Sequence, residues 1–237
     1  MLRPVGKPRV AEEIVQQLRT LILQGHYAVG DKLPPERKLA EELGVNRASL
    51  REAIKSLEHM GLVKTRQGDG TRVLDFMQTA GVELISHLIS GAGTPNLAVL
   101  IDVLEFRRWF GRESARLAAE RATPEDLKAL EALVDKSADP SLEVGELLKL
   151  DFDFYIALCN ASRNAVMKLL INTIRPAVVN YSPFFAQFNA APPALRKHQK
   201  DLLKAIASRD GEQAMKVADA YLKKGIENVQ ALAGPAK

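Results

Sequence analysis

A chain of 237 residues, 46% of them hydrophobic, is long enough for two ordinary domains with real cores. The 33 Lys+Arg against 29 Asp+Glu give a net charge of +4 and a pI near 9.1, which excludes a strongly acidic protein and leaves nucleic acid open as a partner. A lone Cys159 excludes an intramolecular disulfide and fits a reducing, cytoplasmic setting, and no apolar run is long enough to span a membrane.

The first residues, MLRPVGKPR, are basic without an apolar signal core, and read as a mobile arm able to touch phosphates. Arg9 to Gln24 reads as a helix, because Val10, Ile14, Leu18, Leu21 and Ile22 form one stripe and Gly25 stops it. His26 to Leu33 reads as a short extended turn. Pro34-Pro35 opens a second helix with Leu39, Ala40 and Leu43 on its apolar face, and Gly44 ends it. Asn46 is the expected N-cap of a third helix, with Ser49 and Glu52 as an alternative capping box. Leu50, Ala53, Ile54 and Leu57 recur at helical spacing, and Gly61 closes the helix. Leu62, Val63 and Val73 suit short strands around a Gly68-Asp69-Gly70 tip.

Two short helices joined by a tight turn, the second beginning with polar and basic residues, are built to enter a DNA major groove. Arg47 and Arg51 are placed to reach guanine edges or phosphates, with Asn46 and Ser49 donating beside them. Lys64-Thr65-Arg66 and the tip Gln67-Gly68 form the wing. Through Asp75 there are 13 basic and 10 acidic residues, so most of the positive excess lies in this part.

The remainder reads as helix after helix. A linker at Asp75–Thr79 leads to a helix from about Ala80 to Ile89, and Gly91–Asn96 is a loop. Leu97–Ala122 is a long helix, and Thr123-Pro124-Glu125-Asp126 starts another that runs to about Ala138. Pro140–Glu143 opens one that reaches Asn160, and Asn164 to Phe188 is a helix broken near Pro176 and Pro183. The last two run from Pro192 to Ser208 and from Gly211 to about Leu232. The fold class is therefore mainly α: an N-terminal winged helix-turn-helix over 1–75 with a β-hairpin wing, and over 76–237 an antiparallel bundle of about seven helices.

The stretch Leu33–Val73 resembles the winged helix-turn-helix of the GntR superfamily of bacterial transcription regulators. The residues carrying the likeness are LPPERKLAEELGVNRASLREAIKSLEHMGLV and the GDGTRV of the wing. Pro35 departs from the serine cap of many members. By resemblance Arg37, Arg47 and Arg51 stand at DNA-contacting positions, with Asn46, Ser49, Gln67 and Gly68 at further ones.

The C-terminal part is similar to the effector-binding and dimerisation domain of the FadR subfamily, through Glu105-Phe-Arg-Arg, Ala115-Arg-Leu-Ala-Ala-Glu-Arg-Ala, Asp151-Phe-Asp-Phe-Tyr, Asn160-Ala-Ser-Arg-Asn and Ala205-Ile-Ala-Ser-Arg-Asp. Many members hold a metal there with one Asp and three His. Here Asp151 matches the Asp, while Tyr155, Gln199 and Tyr221 stand at the histidine positions. His198 is one residue, about 100°, away around the helix. No metal and no cofactor is therefore expected.

The fatty-acyl-CoA-responsive members also lack this His set, and Gln78–Leu84 looks like their first bundle helix. The resemblance thus implies an acyl-CoA effector, with a small organic acid as the alternative. Arg107, Tyr155, Tyr181 and Tyr221 are the candidate polar groups of the pocket, each tyrosine being equally readable as ordinary core. Arg107 is equally readable as half of a buried ion pair.

Asp151 and Asp153, two apart on a helix, do not share a face, and the four histidines form no motif, so no enzyme is expected. The expected protein is a homodimeric, ligand-responsive transcription regulator on a palindromic operator of double-stranded DNA. A helical part that only dimerises is the rival reading.

Overall fold

The computed structural model describes residues 9–90, 96–173, 175 and 192–233. It divides into two compact units, Met1–Thr94 and Pro95–Lys237. The basic arm, the expected break near Pro176 and Pro183, and Tyr181 lie outside the described residues.

In the first unit, α1 (Arg9–Leu23), α2 (Glu36–Glu42) and α3 (Arg47–His59) precede a hairpin of β1 (Val63–Arg66) and β2 (Gly70–Val73). Ile14, Leu18 and Ile22 of α1 bury one stripe against Leu39 and Ala40 of α2 and Leu50, Ala53, Ile54 and Leu57 of α3. Pro35 takes the N-cap of α2 and offers no side-chain cap, so Glu36 in the first turn is left to meet the positive helix end. Asn46 caps α3 as expected, accepting from the Ser49 N–H at 2.9 Å, and the alternative Ser49–Glu52 start is not used.

The hairpin pairs Val63 with Val73 and Arg66 with Gly70. Its turn is closed by the Asp69 N–H donating to the Arg66 carbonyl at 3.1 Å, with Gly68 third in the turn at φ +80°. A type II turn demands such a φ there, which is why glycine occupies it. The segment before α2, expected as a plain turn, bridges the outer edge of β2. The Leu33 N–H donates to the Thr71 carbonyl, and the Val73 N–H to the Asp31 carbonyl.

The expected linker is itself helical. A one-turn α4 (Phe76–Thr79), a 3₁₀ turn at Val82–Leu84 and α5 (Ile85–Ser90) follow the wing. The extended backbone at Ala80 (ψ 158°) and Gly81 delays the helix expected from about Ala80, which begins as the 3₁₀ turn and continues as α5. The expected boundary after residue 75 assigns this segment to the second domain. Leu84 instead lies in the winged core, with Phe76, Ala80 and Leu88 packed on it, and the units divide after Thr94. Apolar side chains that leave a small domain are covered by the nearest core that has room.

The second unit contains α6 (Leu97–Arg121), α7 (Pro124–Ser137), α8 (Val144–Ala161), α9 (165–173), α10 (Pro192–Ala207) and α11 (Gly211–Ala233). Small residues of α6 and its C-cap, namely Ala115, Ala118, Ala119 and Ala122, sit buried against Phe154, Leu158, Leu202, Ile206 and Leu222. Gly111 continues that seam: a Cβ there would meet Leu222 Cδ1 at 2.6 Å and Tyr155 Cε1 at 2.9 Å. Thr123 and Asp126 form the capping box that starts α7. The start of α8 falls later than Pro140 implies, because the Glu143 N–H is taken by the Glu146 carboxylate at 3.0 Å. Among the described residues no helix is long and apolar enough to cross a membrane.

Candidate functional site

Two groups of side chains carry the chemistry, one in each unit. In the first, Asn46 fixes the start of α3, so Arg47 leaves its first turn exposed. Ser49 is half-buried, and its backbone is engaged by the cap. Arg51 is exposed and donates its Nε to Glu36 Oε2 at 2.8 Å, which ties the start of α2 to α3. Arg37 is exposed beside Glu41 at 3.2 Å.

Gln67 and Gly68 are exposed at the wing tip. The wing is stiffened by Asp69, which takes Arg72 at 2.7 Å and also Lys32, and these two cations hold its carboxyl well below the usual range. The wing is tied to α3 where Glu58 accepts from the Thr65 N–H at 2.6 Å.

Glu36 is the residue that sequence reasoning passed over. Its carboxylate takes only the Nε of Arg51. A guanidinium bound through Nε still presents its two terminal N–H₂ groups as a fork, the geometry that reads guanine. The signal was an acid at the first turn of α2, opposite a basic position of α3.

In the second unit α6, α8, α10 and α11 bring six polar side chains together. Arg107 NH2 donates to Asp151 Oδ2 at 2.7 Å, and its guanidinium carbon lies 5.2 Å from the centre of the Tyr155 ring. Tyr155 Oη and His198 Nε2 are 3.0 Å apart, and His198 stacks on Tyr221 with ring centres 4.0 Å apart. Asp151 is 1% exposed and Gln199 is fully buried.

Burial pushes the Asp151 carboxyl up, and Arg107 pulls it back. Burial likewise drives His198 down to about 3, helped by the Arg107 charge, so the imidazole is neutral. The phenols of Tyr155 and Tyr221 are pushed up by burial and by Asp151, so both stay protonated. Arg107 meets an opposing burial penalty that its partners outweigh, and it is held as the cation.

Three of the four expected pocket residues, Arg107, Tyr155 and Tyr221, thus meet; Tyr181 lies outside the described residues. His198 was expected to be turned away from the ligand position. It is buried all the same, because α10 packs a broad face of Leu195, His198, Gln199, Leu202 and Ile206 inward. That stripe, with its adjacent 198–199 pair, was visible in the sequence as i, i+3, i+4, i+7 spacing.

Asp153 points to Arg175 at 3.7 Å instead, so the two aspartates have separate partners. Cys159 is buried against Ser114 at 3.2 Å, and burial pushes its thiol up to about 11, which makes it inert core.

Five buried side-chain atoms among the described residues have no hydrogen-bond partner: Arg107 Nε, Asp151 Oδ1, His198 Nδ1, Gln199 Nε2 and Gln199 Oε1. All five belong to this cluster. Gln199 and Tyr221 face Asp151 closely enough to favour its carboxylate, and the Gln199 amide still falls short of hydrogen-bond geometry. Beside the cluster a cleft of about 20 Å³, roomy enough for roughly one water molecule, is lined by Val103, Arg107, Phe110, Phe152, Tyr155 and Ile171.

The metal that the FadR likeness implies does not fit this donor set. Asp151 is already engaged by a guanidinium, the Nε2 of the one histidine faces a phenol, and an amide and phenols complete the group. No cluster of three or more metal-ligating side chains occurs among the described residues.

Comparison with known proteins places both units. Residues 10–73 match the profile of bacterial regulatory proteins of the gntR family, and residues 102–224 match the FCD domain. The chain is 36% identical over 227 residues to the HTH-type transcriptional regulator Mce2R of Mycobacterium tuberculosis, covering 93% of this chain and 92% of that one. It is 29% identical over 223 residues to the putative L-lactate dehydrogenase operon regulatory protein of Escherichia coli, covering 90% and 84%. A solved structure of Lar, which controls expression of the Listeria monocytogenes agr system, superposes with a TM-score of 0.61 at 18% identity, covering 97% of this chain and all of that one; it bears on the fold alone.

Proposed function

The chain belongs to the gntR family of bacterial transcription regulators and carries an FCD domain; on that premise we propose that it binds a palindromic operator as a homodimer and that a small carboxylate at Arg107 tunes the affinity. One observation carries the effector reading: every partnerless buried side-chain atom among the described residues falls in the Arg107–Asp151–His198–Gln199 cluster. A buried polar atom without a partner costs about 1–3 kcal/mol, so such a concentration calls for a guest or water that supplies the missing bonds.

Arg107 offers a fork for a carboxylate, while Asp151 Oδ1 and Gln199 Oε1 ask for donors. A compact hydroxylated or amino acid meets both demands. The cleft beside the cluster is lined mainly by apolar side chains, and at about 20 Å³ it has no room for the long chain of an acyl-CoA, the effector expected from the FadR likeness; the polar demand comes from the cluster itself. The relative named for an L-lactate dehydrogenase operon fits a small acid.

The test is a thermal-denaturation screen of the full chain against small carboxylates and an acyl-CoA. A true effector at 100 times its Kd stabilises by roughly 2.7 kcal/mol. The shift is expected with a small carboxylate and is lost in Arg107→Met. Stabilisation by the acyl-CoA alone would overturn the carboxylate assignment. Effector binding then alters operator affinity by its differential affinity for the two states of the protein.

On the DNA side, Arg47 and Arg51 are proposed to read base edges, Arg37 phosphates, and Asn46, Ser49, Gln67 and Gly68 the neighbouring backbone. Arg47→Ala is expected to weaken binding to an operator selected from random duplexes by about 1–3 kcal/mol and to relax one base position. Gel-shift titrations against operator and scrambled DNA measure both. An unchanged ratio between the two would remove Arg47 from the reading surface.

A further inference from the structure

Arg47 and Arg51 stand one turn apart on α3, and only the second is held. Among the described residues Arg47 enters no ion pair, whereas the Nε of Arg51 donates to Glu36 Oε2 at 2.8 Å. The other acids of α2 pair within their own helix, Glu41 with Arg37 and Glu42 with Lys38, each four residues apart. Glu36 instead reaches across the turn to α3.

The Arg51 side chain is 63% exposed and that of Glu36 34%, and an ion pair so open to water adds little to stability. Its effect falls on the guanidinium. A free arginine samples many rotamers, and ordering it on a base costs affinity. Glu36 orders Arg51 before DNA arrives. It takes the Nε and leaves the terminal N–H₂ groups for the O6 and N7 acceptors of a guanine. Its charge works the other way. A carboxylate beside the groove repels phosphates on every duplex, whatever the sequence. Glu36 therefore weakens binding in general and raises discrimination only through Arg51.

We propose that Glu36 is the positioning residue that makes Arg51 selective, giving up affinity for DNA at large in return for sequence preference. The inference rests on Arg51 reading a base edge, as proposed above, and names what holds it there.

The experiment measures the affinity of the full chain for an operator selected from random duplexes and for scrambled DNA at one fixed salt concentration. The variants are Glu36→Ala, Glu36→Gln, Arg51→Ala and the double variant Glu36→Ala with Arg51→Ala. Glu36→Ala is expected to lower the ratio of operator to scrambled affinity about three- to tenfold, the cost of leaving one long side chain unordered. Affinity for scrambled DNA is expected to rise, because a repelling charge has gone. Glu36→Gln, which keeps an acceptor without the charge, is expected to lose less of the ratio and to bind scrambled DNA more tightly as well. In the Arg51→Ala background, Glu36→Ala is expected to leave the ratio where it was, since no guanidinium remains to be held. A parallel loss on operator and scrambled DNA would make Glu36 a structural support of α2. An equal fall in the ratio without Arg51 would show that it acts elsewhere. Either result overturns the proposal while Arg51 keeps its base. If Arg51→Ala by itself leaves the ratio unchanged, the base reading falls and this inference falls with it.

Discussion

Asp151→Ala is expected to destabilise the C-terminal unit by about 3–5 kcal/mol, because it strands the Arg107 guanidinium among buried apolar and aromatic groups without its counter-charge. Asp151 is nearly fully enclosed and Arg107 keeps only 22% of its side chain exposed, so water cannot take over the missing interaction. Replacing both partners by apolar groups, Arg107→Met with Asp151→Leu, is expected to recover most of the loss, since no charge is then left to desolvate. Denaturant titration of the three variants measures the difference. If the single and double variants unfold alike, the pair is not the electrostatic unit described here. The double variant also separates stability from sensing: it should fold, and it should no longer respond to a carboxylate.

Gly61→Ala is expected to destabilise the DNA-binding unit by about 3 kcal/mol or more. Gly61 ends α3 with φ +71°, a left-handed conformation that costs a residue with a Cβ about 1–2 kcal/mol. The added Cβ would also stand 2.4 Å from the Thr79 carbonyl oxygen, which is backbone and cannot rotate away. The Thr79 hydroxyl donates to the Gly61 carbonyl at 2.7 Å, so α4 seals the end of the recognition helix and would have to be pushed off it.

Gly44 is the internal control. It has φ +64° with open space around the missing Cβ, so Gly44→Ala should pay the conformational cost alone. Equal losses at the two sites, followed by thermal unfolding, would show that the α4 contact is too soft to matter.

The sequence alone determined the elements whose causes are local. The periodic stripes of α1 and α3, the Asn46 cap, the Thr123 capping box and the glycine-marked wing tip each depend on residues within a turn or two of one another, and each appears where the pattern predicts it. The run from Leu33 to Val73 was legible as a DNA-reading module because its geometry is written in consecutive residues.

Tertiary structure decided whatever depends on distant partners. Phe76 and Leu84 joined the winged core because apolar burial takes the nearest available cover, which no local pattern specifies. Glu36 met Arg51 across fifteen residues, and Arg107 met Asp151 across forty-four. His198 and Gln199 entered the site together because the inward face of α10 is wide enough for both. A sequence lists which side chains can ionise or donate, but only packing brings an arginine, an aspartate, a histidine, an amide and two phenols to one point. There the loss of water makes their unmet bonds costly, and so makes the place a candidate for binding.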